Sequence, residues 1–240
     1  RRRAQFVVVS IFVNPAQFGP NEDFERYPRD LPHDAGQAAE AGVDILFTPD
    51  AKAIYPPEFS SAVMVDGISE RYEGAGRPGH FRGVATIVSK LFHIVAPDVA
   101  VFGQKDAQQT ALVKRLVHDL NLDVEVVVAQ TVREKDGLAL SSRNVYLSPA
   151  EREAAMVLHG ALKRAERGVA EGDLDARGIA ARMRAAIQRE PLAVLEYADV
   201  VSADDFRPVD AVAHGVLAIV AARFGTTRLI DNLALHLPGG

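Results

Sequence analysis

Residues 6–13 read Phe-Val-Val-Val-Ser-Ile-Phe-Val, an almost unbroken apolar, β-branched run. This is the pattern of a central parallel strand buried on both faces. The run stops at Asn14-Pro15 and gives way to a polar loop, 16–32, that contains Gly19, Pro20 and Pro28. A helix is predicted over 33–41, with Gly42 as its stop, followed by a strand over 43–47 closed by Thr48-Pro49. Tyr55-Pro56-Pro57 predicts an irregular connection, and 62–65 a further short strand. Residues 74–83, Gly-Ala-Gly-Arg-Pro-Gly-His-Phe-Arg-Gly, lead into a helix over 84–95. They do not spell G-x-G-x-x-G, and no clear strand precedes them, so they are not a dinucleotide fingerprint. A strand over 95–101, a helix over 110–120 with apolar residues at 112, 113, 116, 117 and 120, and a strand over 124–128 complete the run. Strands alternating with helices predict an α/β fold with a Rossmann-like, doubly wound parallel sheet.

The pattern changes after Gln130. Ser148-Pro149-Ala150-Glu151 is a capping box with proline at the first helical position. It predicts one helix over 150–169. A second helix follows from 174 or 175 to 189, then strands over 195–201, 216–222 and 227–235. The expected organisation is a Rossmann-like domain over 1–131 and a smaller α+β lid domain over 132–240.

Two polar knots interrupt these apolar runs. Gly103-Gln104-Lys105-Asp106 lies where a strand turns into a helix, the ligand edge of an open α/β sheet, where free helix N–H groups attract anions. Lys105 there suits a phosphate through a charge-assisted hydrogen bond. Ser141-Ser142-Arg143 offers two hydroxyls and a guanidinium, also suited to phosphate oxygens. Together they predict a nucleotide phosphate chain clamped between two domains. Asn14, Gln17 and Gln109 supply neutral amides that orient a hydroxyl or carboxylate; beside Pro15, Asn14 reads first as a turn cap. His80 reads as structural.

Composition narrows the options. With 240 residues, a net charge of −5 and a pI near 5.8, there is no basic footprint for general nucleic-acid binding. There is no cysteine, which excludes disulfides and thiolate chemistry and suits a reducing cytoplasm. Without cysteine, and with seven histidines in no ligand-like spacing, a structural zinc is not expected. Asp34 or Asp106 could hold magnesium together with nucleotide phosphates. No membrane span is expected, and Arg1-Arg2-Arg3 does not open a signal peptide.

Laid out in order, Phe12-Val13-Asn14-Pro15-Ala16-Gln17-Phe18, Tyr27-Pro28-Arg29, Gly79-His80-Phe81-Arg82-Gly83-Val84, Phe102-Gly103-Gln104-Lys105-Asp106-Ala107-Gln108-Gln109, Thr131-Val132-Arg133-Glu134, Leu140-Ser141-Ser142-Arg143-Asn144 and Thr226-Thr227-Arg228-Leu229-Ile230-Asp231-Asn232 resemble the pantoate–β-alanine ligases. The resemblance implies an ATP-dependent ligase. It adenylates pantoate, releases pyrophosphate, and lets the amine of β-alanine displace AMP, with Mg2+ assisting, in a cytoplasmic homodimer. It assigns ATP contacts to Gly103, Gln104, Lys105, Asp106, Val132, Leu140, Ser141, Ser142 and Arg143. Lys105, Ser141, Ser142 and Arg143 would serve catalysis. Asn14, Gln17 and Gln109 would hold substrate, with Gln17 also near β-alanine, and Asp34 and Gln37 would lie near the metal. Leu140 stands where many relatives have methionine, a swap of similar volume that should cost little. The family pattern also opens with a strand, a Pro-Thr-Met-Gly turn and a His-x-Gly-His helix that are not among these residues. The expectation is that the residues as written do not adenylate pantoate at a useful rate by themselves.

Overall fold

The computed structural model describes residues 3–20 and 22–237. Two compact units are distinguishable. One takes the chain up to Val101 together with Leu112–Val127; the other takes Phe102–Ala111 together with the chain from Val128 onward.

In the first unit, strand β1 (Val8–Ser10) pairs in parallel with β2 (Ile45–Phe47), in the register Val8 to Ile45. The apolar run at 6–13 thus yields a strand of only three residues. β1 pairs with β2 alone among the described residues, and its side chains are half-buried or exposed rather than covered on both faces. Helix α1 (Leu31–Glu40) lies between them in sequence. It begins two residues before the expected start because the Asp30 side chain caps the N–H of His33, and Pro32 fits the first turn. Two short helices follow, α2 (Ala51–Ile54) and α3 (Glu73–Gly76). The strand expected at 62–65 is not formed. There the Val63 N–H is taken by the Thr86 hydroxyl rather than by a neighbouring strand.

Helix α4 (His80–Val95) starts at His80, earlier than the glycine-rich sequence suggests. Gly79, at φ 84°, turns the chain into the helix, and Phe81, Val84, Ala85, Ile87, Val88 and Phe92 bury one broad face. Strand β3 (Val99–Gly103) and helix α5 (Ala107–Asp119) each pass from one unit into the other, and β3 pairs with β4 (Glu125–Ala129).

The second unit carries most of the apolar core. Strands β5 (Ala193–Ser202), β6 (Val216–Phe224) and β7 (Thr227–Leu235) form an antiparallel sheet in the order β5-β6-β7. The expected capping box is present: Ser148 accepts from the Glu151 N–H, and the Glu151 carboxylate accepts from the Ser148 N–H. The single helix expected after it is two, α6 (Pro149–Ala154) and α7 (Met156–Ala170), joined at Ala155. Helix α8 (Ala176–Gln188) completes the layer. Leu158, Leu162 and Val169 of α7 and Ile179, Met183 and Ile187 of α8 bury against Val200, Val220 and Phe224 of the sheet.

Candidate functional site

In the first unit the site is built where β1 ends. Asn14 is 2% exposed, and its side chain is fully occupied. Its Oδ1 accepts from the Ala16 N–H at 3.2 Å and the Tyr55 hydroxyl at 2.7 Å. Its Nδ2 donates to the Gly83 carbonyl at 3.2 Å and to Gln17 Oε1 at 3.1 Å. Burial pushes the Tyr55 hydroxyl above its usual range, against the smaller opposing effect of its bond to Asn14, so it stays a donor. Asn14 is the turn cap its position beside Pro15 indicates. It also fixes Gln17, whose amide oxygen it engages while the Gln17 NH2 remains available to donate.

The backbone of Gln17 is held from the other side by His80, only 8% exposed. His80 Nδ1 lies 2.8 Å from the Gln17 carbonyl and Nε2 lies 3.1 Å from Arg77 Nη1. A neutral ring with its proton on Nδ1 satisfies both contacts. Burial, with the Arg77 charge next, pushes its pKa down to about 4. Arg77 in turn grips Glu22 through two contacts at 2.7 and 2.6 Å. Burial alone would raise the Glu22 carboxyl, but the Arg77 hydrogen bond and charge outweigh it and hold it low. His80 is therefore a structural brace for Gln17.

Asp34 and Gln37 lie one turn apart on α1, the first half-buried and the second exposed. Among the described residues no group of three or more histidines or carboxylates could cage a metal. One carboxylate and one amide fit magnesium only as an ion carried largely by phosphate oxygens and water.

In the second unit, Gly103 ends β3 and the chain turns through a 3-10 segment, Gln104–Asp106, into α5. Thr110 secures the turn by donating to the carbonyls of Asp106 at 3.1 Å and Ala107 at 2.9 Å. Lys105 is mostly covered, and its ammonium lies 3.9 Å from Asp106 Oδ1. Gln109, one helical turn onward, is half-buried.

The second knot lies in a short hairpin and the 3-10 turn after it. Leu140 N–H donates to the Val132 carbonyl at 2.9 Å, and Glu134 N–H to that of Leu138 at 2.8 Å. Val132 and Leu140 are thereby neighbours, and both are more than half exposed. Ser141 caps the turn Ser142–Tyr146, its hydroxyl accepting from the Arg143 N–H at 3.2 Å. Asn144 ties turn to hairpin by donating to Glu134 Oε1 at 2.8 Å and the Ala139 carbonyl at 3.1 Å. Its own Oδ1 is buried without a partner among the described residues.

The two knots meet. Lys105 and Ser141 line one small pocket with Asn144, Asp231 and the apolar Leu138 and Leu229. Residues that periodicity did not single out hold this pocket together. Arg133 makes a two-pronged pair with Asp231, at 2.6 and 2.9 Å, and Asn232 bonds to the Gln104–Lys105 turn. Beyond the family motifs at 131–134 and 226–232, the available signal is an aspartate in the apolar run of β7, since a buried Asp is nearly always paired.

The comparisons with known proteins agree with one another. A family model described as Pantoate-beta-alanine ligase matches residues 1–234. The pantothenate synthetase of Acetivibrio thermocellus is 52% identical over 237 residues, covering 99% of this chain and 84% of that protein. A crystal structure of pantothenate synthetase from Thermus thermophilus superposes with a TM-score of 0.94 at 47% identity, over 97% of this chain and 84% of that one. The pantoate-beta-alanine ligase of Francisella tularensis, complexed with beta-gamma ATP and beta-alanine, superposes with a TM-score of 0.77 at 33% identity, over 97% of this chain and 80% of that one.

Proposed function

The chain belongs to the pantoate-beta-alanine ligase family, and from that premise we infer that it condenses pantoate with β-alanine at the expense of ATP. In the first step a pantoate carboxylate oxygen attacks the α-phosphorus of ATP. The new P–O bond forms as the bridge to pyrophosphate breaks, and pyrophosphate leaves with the electron pair. In the second step the β-alanine amine attacks the acyl carbon of the adenylate, AMP departs with the C–O electrons, and the amine proton passes to solvent.

The observation that carries the site assignment is the shared pocket of Lys105 and Ser141. Lys105 is suited to the phosphates, where its charge offsets the negative charge gathered on departing pyrophosphate. Ser141, Ser142 and Arg143 supply further donors, and Gly103, Gln104 and Asp106 shape the turn that presents Lys105. The exposed side chains of Val132 and Leu140 suit the apolar face of adenosine. Gln17 and Gln109 present neutral amides to pantoate, with Asn14 orienting Gln17. Asp34 and Gln37 fit a magnesium ion arriving with ATP, which would neutralise phosphate charge when bound. We further propose a lid role for 132–240 beside a nucleotide- and pantoate-binding part over 1–131, a homodimer, and a cytoplasmic setting. Among the described residues no helix is long and apolar enough to cross a membrane.

ATP–pyrophosphate exchange in the native protein tests the reaction. Exchange that requires pantoate is expected. Exchange with another carboxylate but not pantoate would reassign the acceptor, and ATP binding without any exchange would overturn the ligase reading.

A further inference from the structure

Asn232 is buried in the middle of β7, 3% exposed, next to the equally buried Asp231. Its amide is spent entirely on one short stretch of chain. Nδ2 donates to the Gln104 carbonyl at 2.9 Å and to the Lys105 carbonyl at 2.9 Å, and Oδ1 accepts from Gln104 Nε2 at 3.0 Å. Three hydrogen bonds to two consecutive residues fix both the position and the twist of that turn. The neighbouring Asp231, 4% exposed, does the same for the hairpin. It takes both prongs of Arg133, whose Nη1 also reaches the Gly137 carbonyl at 3.0 Å and whose Nη2 reaches the Asn232 carbonyl at 3.3 Å. Asp231 Oδ1 also accepts from the Asn232 N–H at 2.8 Å, joining the two halves.

We propose that the Asp231-Asn232 pair is a positioning device for adenylation: it sets the distance between the turn that carries Lys105 and the hairpin that carries Val132 and Leu140. Neither residue serves as acid, base or nucleophile. Asn232 acts through the turn, and Asp231 through Arg133. β7 touches the Lys105 turn and, through Arg133, the hairpin with adjacent residues, so one strand holds the phosphate-facing turn and the adenosine-facing hairpin in register. The proposal rests on the assignment of Lys105 to the ATP phosphates.

The variant that isolates the effect is Asn232→Asp, which keeps size and the acceptor for Gln104 but replaces the two N–H donors with an oxygen facing two carbonyls. Single-turnover rates are measured separately for pantoyl adenylate formation and for β-alanine attack on supplied pantoyl adenylate. Adenylation is expected to fall about tenfold or more while the second step changes less than about threefold. An equal fall in both steps, or none in adenylation, would overturn the proposal. If Asn232→Asp does not fold, Asn232→Ser, which retains one donor, is read in the same way. Lys105→Ala, measured alongside, separates the two ideas. Normal adenylation in that variant removes the phosphate role of Lys105, whereas a loss there with an unaffected Asn232→Asp removes only the positioning role.

Discussion

Lys105 and His80 are both covered cationic-type residues, and the structure assigns them opposite characters. The Lys105 ammonium lies 3.9 Å from Asp106 Oδ1, too far for a hydrogen bond, so its charge can serve a ligand. Lys105→Ala is therefore expected to slow adenylation by about 2.7–4 kcal/mol of transition-state stabilisation, some hundredfold to a thousandfold. Its unfolding midpoint should stay close to that of the parent. Rapid-quench detection of pantoyl adenylate measures the first, and denaturant titration the second. His80 instead is needed uncharged. Its pKa in the folded chain lies at about 4, below the usual value of 6.5 in an unfolded one. The unfolded chain thus binds more protons between these values, and stability must fall as pH drops from about 6.5 towards 4 and level off below. The cost at the acid end is on the order of 3 kcal/mol. His80→Gln, which can still donate to the Gln17 carbonyl, should flatten this acid limb in denaturant titrations across pH. An unchanged limb would place the acid sensitivity elsewhere. Lys105 and Ser141 were legible as polar residues standing where strands and loops end. Asn232 stood out only as part of the family motif at 226–232, because a single amide inside a strand carries no periodic signal.

At the scale of elements, the order of the longer strands and helices was readable, but the strand expected at 62–65 does not form, the helix expected at 150–169 is two, and the limits of the rest were not legible. Asp30 and Gly79 moved the starts of α1 and α4, because a cap is a matter of one side chain or one backbone angle. The apolar run of β1 overstated its length, since apolar content reports burial tendency and not pairing. Gly83 shows what position along an element can conceal. It lies inside α4, where glycine is ordinarily a weakness, yet a Cβ there would stand 2.2 Å from the Ala16 carbonyl oxygen and 2.7 Å from Gln17 Cα. The glycine lets the helix approach the turn that carries Gln17. Gly83→Ala should destabilise by about 1–3 kcal/mol and weaken pantoate more than ATP, as read by calorimetry. Gly36→Ala, in α1 with nothing within 4 Å of the new methyl, should instead stabilise by about 0.5–1 kcal/mol. If both substitutions destabilise equally, close approach is not what Gly83 provides.

For the molecule as a whole, binding and folding are linked. ATP that binds the folded chain alone should raise its stability by about 2.7 kcal/mol at a hundred times its dissociation constant. That gain should shrink in Lys105→Ala and persist in Gln109→Ala, and a denaturant series with and without nucleotide reads both. The passage of the chain between its two units has a further consequence. Phe102–Ala111 belongs with the chain beyond Val128, while Leu112–Val127 belongs with the chain before Val101. Neither unit is therefore encoded by one uninterrupted stretch of gene. A recombinant joined at the 127/128 boundary between two diverged parents would take its Lys105 turn from one ancestor and its Arg133 hairpin and Asn232 from the other. Such a crossover should yield a stable protein only where both parents agree on the contacts between Gln104, Lys105 and Asn232, although more than a hundred residues lie between the turn and β7.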